Sequence, residues 1–197
     1  MNKLLIVVLI GILTACSNDK SEEISKIDIN ESLENKTIEN VPFPHYESVY
    51  QMLEESYDYR PHNGSLVLLS KPSQREHVQV SQLFLKNEPP KSMIEDVKRD
   101  IVYVAFEAFA LTDVNELTIT SVPLESSTDT NKINYFNEFK KTVTVNRNTA
   151  KLILRKYFEN DSFKDLFYLD KGYYLPSKEF DLLKFAELES VYEYLKN

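Results

Sequence analysis

The chain has 197 residues, of which 42% are hydrophobic and 27% are charged, a composition within the range of ordinary globular proteins. Its net charge of −8 at pH 7 disfavours nucleic acid as a partner, because phosphate backbones are also negative. The chain has three glycines and one cysteine. These counts exclude the Gly-rich loops of Rossmann and P-loop nucleotide sites and any intramolecular disulfide.

The N-terminus has the architecture of an export signal. Lys3 precedes an apolar run over residues 4–13 that only Gly11 interrupts. Ten apolar residues in a helix extend about 15 Å, which is roughly half of the hydrocarbon core of a bilayer. The run is therefore too short to remain as a membrane anchor, and we expect residues 1–15 to be a signal peptide that is cleaved.

The four residues Leu13-Thr14-Ala15-Cys16 resemble the lipobox of bacterial lipoproteins. The resemblance implies that the Cys16 thiol takes a diacylglycerol, that cleavage makes this cysteine the new N-terminus, and that its acyl chains hold the protein to a membrane. It also implies a place in the bacterial cell envelope. In a host with two membranes the resemblance implies the outer membrane, with which Ser17 after the cysteine is compatible and an Asp there would not be, and otherwise it implies the outer face of the cytoplasmic membrane. The alternative is that Cys16 is merely a small residue after a signal or a buried helix.

Residues 16–41 are predicted to form the acylated cysteine and a flexible tether. The segment 17–40 has seven acidic residues, three lysines and no aromatic residue, so it cannot bury enough apolar surface to order itself. As a coil it spans about 25 to 30 Å root-mean-square. The alternative is a short helix or edge strand that uses its isolated aliphatic residues Ile24, Ile27, Ile29 and Leu33.

Residues 42–197 are predicted to form a single α+β domain, which begins with one helix and two strands. Apolar residues at helical spacing predict a helix over 46–57, and apolar runs predict strands over 65–69 and 77–85, the second with a bulge near Ser81. Ser92 and Glu95 form a capping box that predicts the start of the strongest helix in the chain. This helix is apolar over most of its circumference, so we expect it at the centre of the core.

The second half of the domain is predicted to add two strands and two helices. Alternation predicts strands over 116–122 and 142–146, separated by a polar loop over 126–134. Asn148 is predicted to cap a helix that runs to residue 158, and Phe163, Leu166 and Phe167 to continue it or to begin a short successor. A terminal amphipathic helix follows a turn at Lys171-Gly172. The order α-β-β-α-β-β-α-α favours an antiparallel four-stranded sheet covered by helices, a two-layer sandwich.

Two stretches of the domain, 117–123 and 145–158, resemble an uncharacterised domain found in bacterial lipoproteins. The resemblance supports a place in the envelope. It implies no activity, because no catalytic residues are assigned to such domains.

The residue patterns predict no catalytic residue, metal or cofactor. His45, His62 and His77 lie too far apart to share a helical turn, as a zinc motif requires, and no serine lies between two glycines. The long helix carries an acidic stripe of Asp96, Asp100 and Glu107 with Tyr103 between them. We expect this stripe to be a solvated face, with binding of a cation or a cationic partner as the alternative.

The loop 57–64 is the most promising interaction feature, because tyrosine and arginine are enriched in binding hot spots. Its candidate partner-binding residues are Tyr57, Tyr59, Arg60 and His62, although both tyrosines could instead fold back over the core. The leading hypothesis is a lipid-anchored envelope protein whose domain binds an envelope protein or a cell-wall polymer without catalysis. The alternatives are an envelope hydrolase with an unrecognised histidine or carboxylate site, and a structural subunit of an envelope assembly.

Overall fold

The computed structural model describes residues 41–71, 74–126 and 132–197. The predicted signal peptide, Cys16 and nearly all of the predicted tether lie outside these residues. The helices are α1 (Val49–Ser56), α2 (Pro90–Leu111), α3 (Arg147–Phe158), α4 (Lys178–Asp181) and α5 (Leu188–Lys196). The strands are β1 (Leu66–Leu68), β2 (His77–Val80), β3 (Leu83–Phe84), β4 (Glu116–Ser121), β5 (Leu124–Glu125), β6 (Lys141–Asn146), β7 (Phe167–Asp170) and β8 (Tyr173–Pro176).

The main sheet has four strands in the order β1-β2-β4-β6. The pairs β1/β2 and β4/β6 are antiparallel, but the central pair β2/β4 is parallel. The α+β class is thus confirmed, whereas the prediction of a purely antiparallel sheet is wrong. The physical reason is the long helix α2, which carries the chain back along the sheet so that β4 starts at the same end as β2, as in a β-α-β crossover.

The predicted strand over 77–85 is two strands. The chain leaves the main sheet after Val80, and β3 then pairs in parallel with β5 in a separate ribbon. The change of phase near Ser81 therefore marks the end of a strand and not a bulge. The Ser81 amide still donates to the Ser65 carbonyl at 2.9 Å, so the strand ends without leaving that backbone donor unpaired.

Helix α2 lies at the centre of the core, as predicted. Twelve of its 22 residues are buried, and it contacts strands β4 and β6 as well as the helices α1, α3 and α5. The inward-facing residues of β4 and β6 lie on one face of the sheet. On the other face, Thr118 and Thr144 share a hydrogen bond of 3.0 Å. The inward-facing residues are Leu117, Ile119, Val143 and Val145.

Two predicted helix caps are wrong. Helix α2 begins at Pro90 and not after Ser92, and Pro89 precedes it without a side-chain cap. Proline is suited to the first turn of a helix, because the amide groups there have no hydrogen-bond partner within the helix. Pro90 therefore removes no helical hydrogen bond. Helix α3 is capped by Asn146 and not by Asn148, because the Asn146 side chain accepts from the Asn148 amide at 2.8 Å.

A β-hairpin spans residues 167–176, where the sequence predicts no strand and assigns Phe167 to a helix. Strands β7 and β8 pair antiparallel from Phe167 to Pro176, and the turn between them has positive φ angles at Lys171 (49°) and Gly172 (88°). Positive φ at both central residues is typical of two-residue hairpin turns. The Lys171-Gly172 turn is therefore confirmed, but strands flank it on both sides.

The guanidinium of Arg147 joins the C-terminal end of α2 to the start of α3. Its Nε donates to the Val114 carbonyl at 2.9 Å, and its two terminal nitrogens donate to the carbonyls of Phe109 and Thr112 at 2.7 Å each. The same group lies 5.2 Å from the ring centre of Phe109. Arg147 thus satisfies carbonyls that the end of α2 and the following loop would otherwise leave without partners.

We predict that Arg147→Met lowers the free energy of unfolding by about 2 to 4 kcal/mol, because it removes three charge-assisted hydrogen bonds and leaves carbonyls unpaired. The control is Arg155→Met on the same helix, whose exposed ion pair with Asp161 should contribute less than about 1 kcal/mol. Urea unfolding of both variants measures the difference. Equal losses would show that Arg147 does not hold the two helices together.

Candidate functional site

A row of polar side chains runs along one face of α2. It consists of Asp96, Arg99, Asp100, Tyr103 and Glu107, whose spacing places them on one side of the helix. Asp100 and Glu107 are each only 5% exposed. The expectation that this acidic stripe is a solvated face is therefore wrong.

The row is covered by a segment that precedes α2 in the chain and by a segment that follows it. Tyr59, which is 1% exposed, lies against Asp100 from the loop after α1. From the C-terminal part of the chain, the ring of Phe180 stacks on that of Tyr103 at 5.7 Å, and Lys184 Nζ lies 5.3 Å from the Tyr103 ring centre. These contacts bury carboxyls that an isolated helix would expose.

Asp100 is surrounded by hydrogen-bond donors. Its carboxylate accepts from the Tyr59 hydroxyl at 3.0 Å, from Ser121 Oγ at 2.8 Å and from Gln82 Nε2 at 3.4 Å. Burial raises the pKa of Asp100 to about 6, while these three hydrogen bonds favour the charged form and limit the rise. Asp100 therefore joins the loop, the sheet and α2 through satisfied hydrogen bonds.

Glu107 is less well satisfied than Asp100. Its Oε1 lies 3.1 Å from the Tyr103 hydroxyl, which also lies 2.6 Å from Asp58 Oδ2. A phenol has a single proton and can donate to only one of these carboxyls at a time. The buried Oε2 of Glu107 has no hydrogen-bond partner among the described residues. Burial, followed by the negative charge of Asp58, raises the pKa of Glu107 to about 8.

Glu107 lies in the lining of a pocket of about 590 Å³. The pocket is bounded by α1, α2, the segment 41–46 and the β7/β8 hairpin, and most of its surface is apolar. The segment is held to the hairpin because Phe43 packs on Tyr174 at 4.8 Å, and the Tyr174 hydroxyl donates to the Val41 carbonyl at 2.9 Å. The aromatic lining residues are Tyr46, Tyr103, Phe167, Tyr173 and Tyr174.

Two smaller and more polar pockets continue along the same face of α2. One of about 470 Å³ is lined by Gln82, Asp96, Arg99 and Asp100, and one of about 240 Å³ includes Asp58, Tyr59, Asp100 and Tyr103. Asp100 and Glu107 thus line different pockets. Asp58 and Tyr103 line both the smallest pocket and the aromatic one, so the polar row connects them.

The four predicted partner-binding residues divide into two groups. Tyr57 is 69% exposed, with the Arg60 guanidinium 4.4 Å from its ring centre, and His62 is exposed in the following turn. Tyr59 instead lies in the core with its hydroxyl on Asp100, so it cannot contribute to a partner-binding surface. Partner binding by Tyr57, Arg60 and His62 stays a prediction.

The histidines do not converge. His45 lies 3.4 Å from Asp113, and His77 Nε2 lies 2.9 Å from Thr120 Oγ1. None of the three histidines lines the three pockets described above. Within residues 41–71, 74–126 and 132–197, no three side chains of His, Cys, Asp or Glu are arranged to hold a metal ion.

Two parts of the aromatic pocket are not predicted from the sequence: the wall formed by the hairpin and the side chain of Asp58. The hairpin had a readable signal, since aromatic and aliphatic residues flank the two-residue turn at Lys171-Gly172 on both sides. Asp58 had none, because an aspartate in a loop is typical of a solvent-exposed turn.

Comparisons with protein-family models, with curated proteins and with solved structures find no match to this chain. In the part of the chain that the structure describes, no helix has the length and apolar composition that crossing a bilayer requires.

We predict that Glu107 makes the stability of the fold depend on pH. Its pKa is raised from 4.5 to about 8, so the folded protein retains a proton that the unfolded chain releases. Stability therefore falls as pH rises from about 4.5 to 8. Glu107→Gln keeps the shape of the neutral carboxyl and removes this fall, so near pH 9 the variant should be more stable than the parent by about 2 to 5 kcal/mol.

Urea unfolding at several pH values measures this effect. The control is Glu54→Gln on the exposed side of α1, which should follow the parent at every pH. A variant with Gln at position 107 that loses stability with pH as steeply as the parent would contradict the prediction.

Proposed function

We propose that the protein is a lipid-anchored protein of the bacterial envelope whose domain binds a ligand in the aromatic pocket beside Glu107, without catalysis. One observation carries the binding role: the Glu107 carboxyl, which is 5% exposed, belongs to the lining of a largely apolar pocket, and its buried Oε2 has no hydrogen-bond partner among the described residues. A few polar groups in an apolar concavity are typical of ligand sites, whose volumes are about 300 to 1,000 Å³. The volume of this pocket lies within that range.

The energetics of Glu107 support a ligand. A buried polar group without a hydrogen-bond partner costs about 1 to 3 kcal/mol. A ligand that hydrogen-bonds to Oε2 recovers this free energy when it binds. Asp100, with its three donors, offers no comparable gain, and this difference supports a binding site at the Glu107 end of the polar row.

The described lining residues do not form the site of a serine hydrolase. Ser56 is the only serine among the described lining residues, and its Oγ donates to the Leu53 carbonyl at 3.0 Å rather than to a base. No histidine is among those residues. A hydroxyl nucleophile needs an adjacent base to be activated, and this arrangement does not provide one for Ser56.

The sequence of the N-terminus supports the anchor. A short apolar leader ends at Leu13-Thr14-Ala15-Cys16 and is followed by a polar segment. Two or three acyl chains on Cys16 would give an essentially permanent attachment to a membrane. Since Val41 lies in the wall of the pocket, the tether of such a protein meets the domain at its ligand site.

We predict that Cys16 carries the anchor. In a bacterial host the protein should partition into detergent, and mass spectrometry should find a lipid-modified cysteine at its N-terminus. Cys16→Ser should move the protein to the aqueous phase, whereas Ser17→Ala, one residue away, should not. An intact leader with unmodified Cys16 would refute the anchor and leave the pocket hypothesis standing.

We predict that the aromatic pocket takes up the neutral dye Nile red. Ser56→Trp should fill the pocket from α1 and lower the dye's affinity by about tenfold or more, a loss of about 1.4 kcal/mol of binding free energy. Gln51→Trp, on the same helix but outside the lining, is the matched control. The full chain with Cys16→Ser keeps the measurement free of detergent. Equal fluorescence from both tryptophan variants would show that the dye binds elsewhere.

A further inference from the structure

The polar end of the aromatic pocket is acidic. The described lining residues include the two carboxyls of Asp58 and Glu107 and no basic side chain. The nearest cation is Lys184, which is outside this lining, and its Nζ lies 3.2 Å from Asp181 Oδ1 and 4.6 Å from the Phe180 ring centre. The charge of Lys184 is thus already matched within the protein.

The rest of the pocket suits the apolar body of a cationic molecule. Tyr46, Phe167, Tyr173 and Tyr174 contribute rings to the lining, and the faces of aromatic rings attract cations. A cation that is desolvated among such rings gains more from this attraction than a cation at an exposed site does. An anion would meet the repulsion of Asp58 with no basic group in the described lining to balance it.

Resting on the proposed function, we infer that the ligand is a small organic ammonium ion. Its nitrogen lies between Asp58 and Glu107, and its apolar body packs against the tyrosines. An ammonium N–H donates to the Oε2 of Glu107, which has no hydrogen-bond partner within the described residues. The Tyr103 hydroxyl, 2.6 Å from Asp58 and 3.1 Å from Glu107, holds the two carboxyls on either side of the cation.

The inference includes a direction of pH dependence. The ammonium ion pairs with the ionised form of Glu107, so binding expels the proton that the buried carboxyl holds at neutral pH. The affinity should rise about 20- to 30-fold between about pH 6.5 and 8.5 and then level off. A neutral acceptor such as an alcohol needs that proton, and its affinity should fall over the same range.

The groups that face Glu107 do not reverse this direction. They are Asp58 from the loop after α1, Tyr103 on α2, Tyr46 from the N-terminal segment, and Lys184 with its partner Asp181. Burial raises the pKa of both tyrosines above 10, so they stay neutral in this range. Asp58 raises the pKa of Glu107 and Lys184 lowers it, and the pKa of Glu107 already includes both effects.

The test uses three probes that share one ring: phenethylammonium, 2-phenylethanol and phenylacetate. Each is titrated calorimetrically into the full chain with Cys16→Ser at about pH 6.5 and 8.5. We expect the ammonium probe to bind best and to bind more tightly at the higher pH. Glu107→Gln should lower its affinity by about tenfold or more and abolish the pH dependence, and Asp58→Asn should lower it severalfold. The control Glu54→Gln should change neither.

The outcomes separate this inference from the proposed function. Stronger binding of the alcohol, with affinity that falls as pH rises, or stronger binding of phenylacetate, overturns the ammonium assignment and retains the pocket. Failure of all three probes in a protein that still takes up Nile red also overturns only the assignment. Loss of dye binding as well counts against the pocket itself. Tighter binding of Nα-acetyl-lysine amide than of phenethylammonium supports the ammonium chemistry and identifies a lysine side chain as its source.

Discussion

The burial of α2 on almost all of its sides is the constraint on which the structure depends. Strands β4 and β6 and three other helices pack against it, so its apolar residues form the centre of the core. The remaining face of α2 is polar, and segments that precede and follow the helix in the chain cover this face as well. Two carboxyls are therefore enclosed, and each must find hydrogen-bond donors or hold a proton.

The two carboxyls differ because their surroundings supply different numbers of donors. Asp100 lies beside the end of β4 and the loop after α1, where Ser121 and Tyr59 both reach it. Glu107, two turns further along α2, shares the one hydroxyl of Tyr103 with Asp58. The first carboxyl is part of the framework, and the second has a free hydrogen-bonding position. The proposed ligand site follows from this difference.

The walls of the aromatic pocket include two segments that are far apart in the sequence of the domain. The N-terminal segment 41–46 and the β7/β8 hairpin meet through Phe43 and Tyr174, and α1 and α2 supply the other walls. In the proposed lipid-anchored protein, the tether reaches the domain at this wall.

The sequence by itself determined the elements that local patterns specify. Periodicity located α2, β4 and β6, because this signal arises from neighbours in the chain, and the order of the elements predicted the antiparallel pairs β1/β2 and β4/β6. The lipid-anchor prediction rests on residues 1–41, and the envelope prediction rests on them and on the resemblance of two stretches of the domain. Only the tertiary structure decided that β2 and β4 are parallel, that Tyr59 turns inward, and that Asp100 and Glu107 are buried. Acidic residues on one helix face predict exposure unless distant segments cover them, and such coverage depends on long-range packing, which local sequence patterns do not encode.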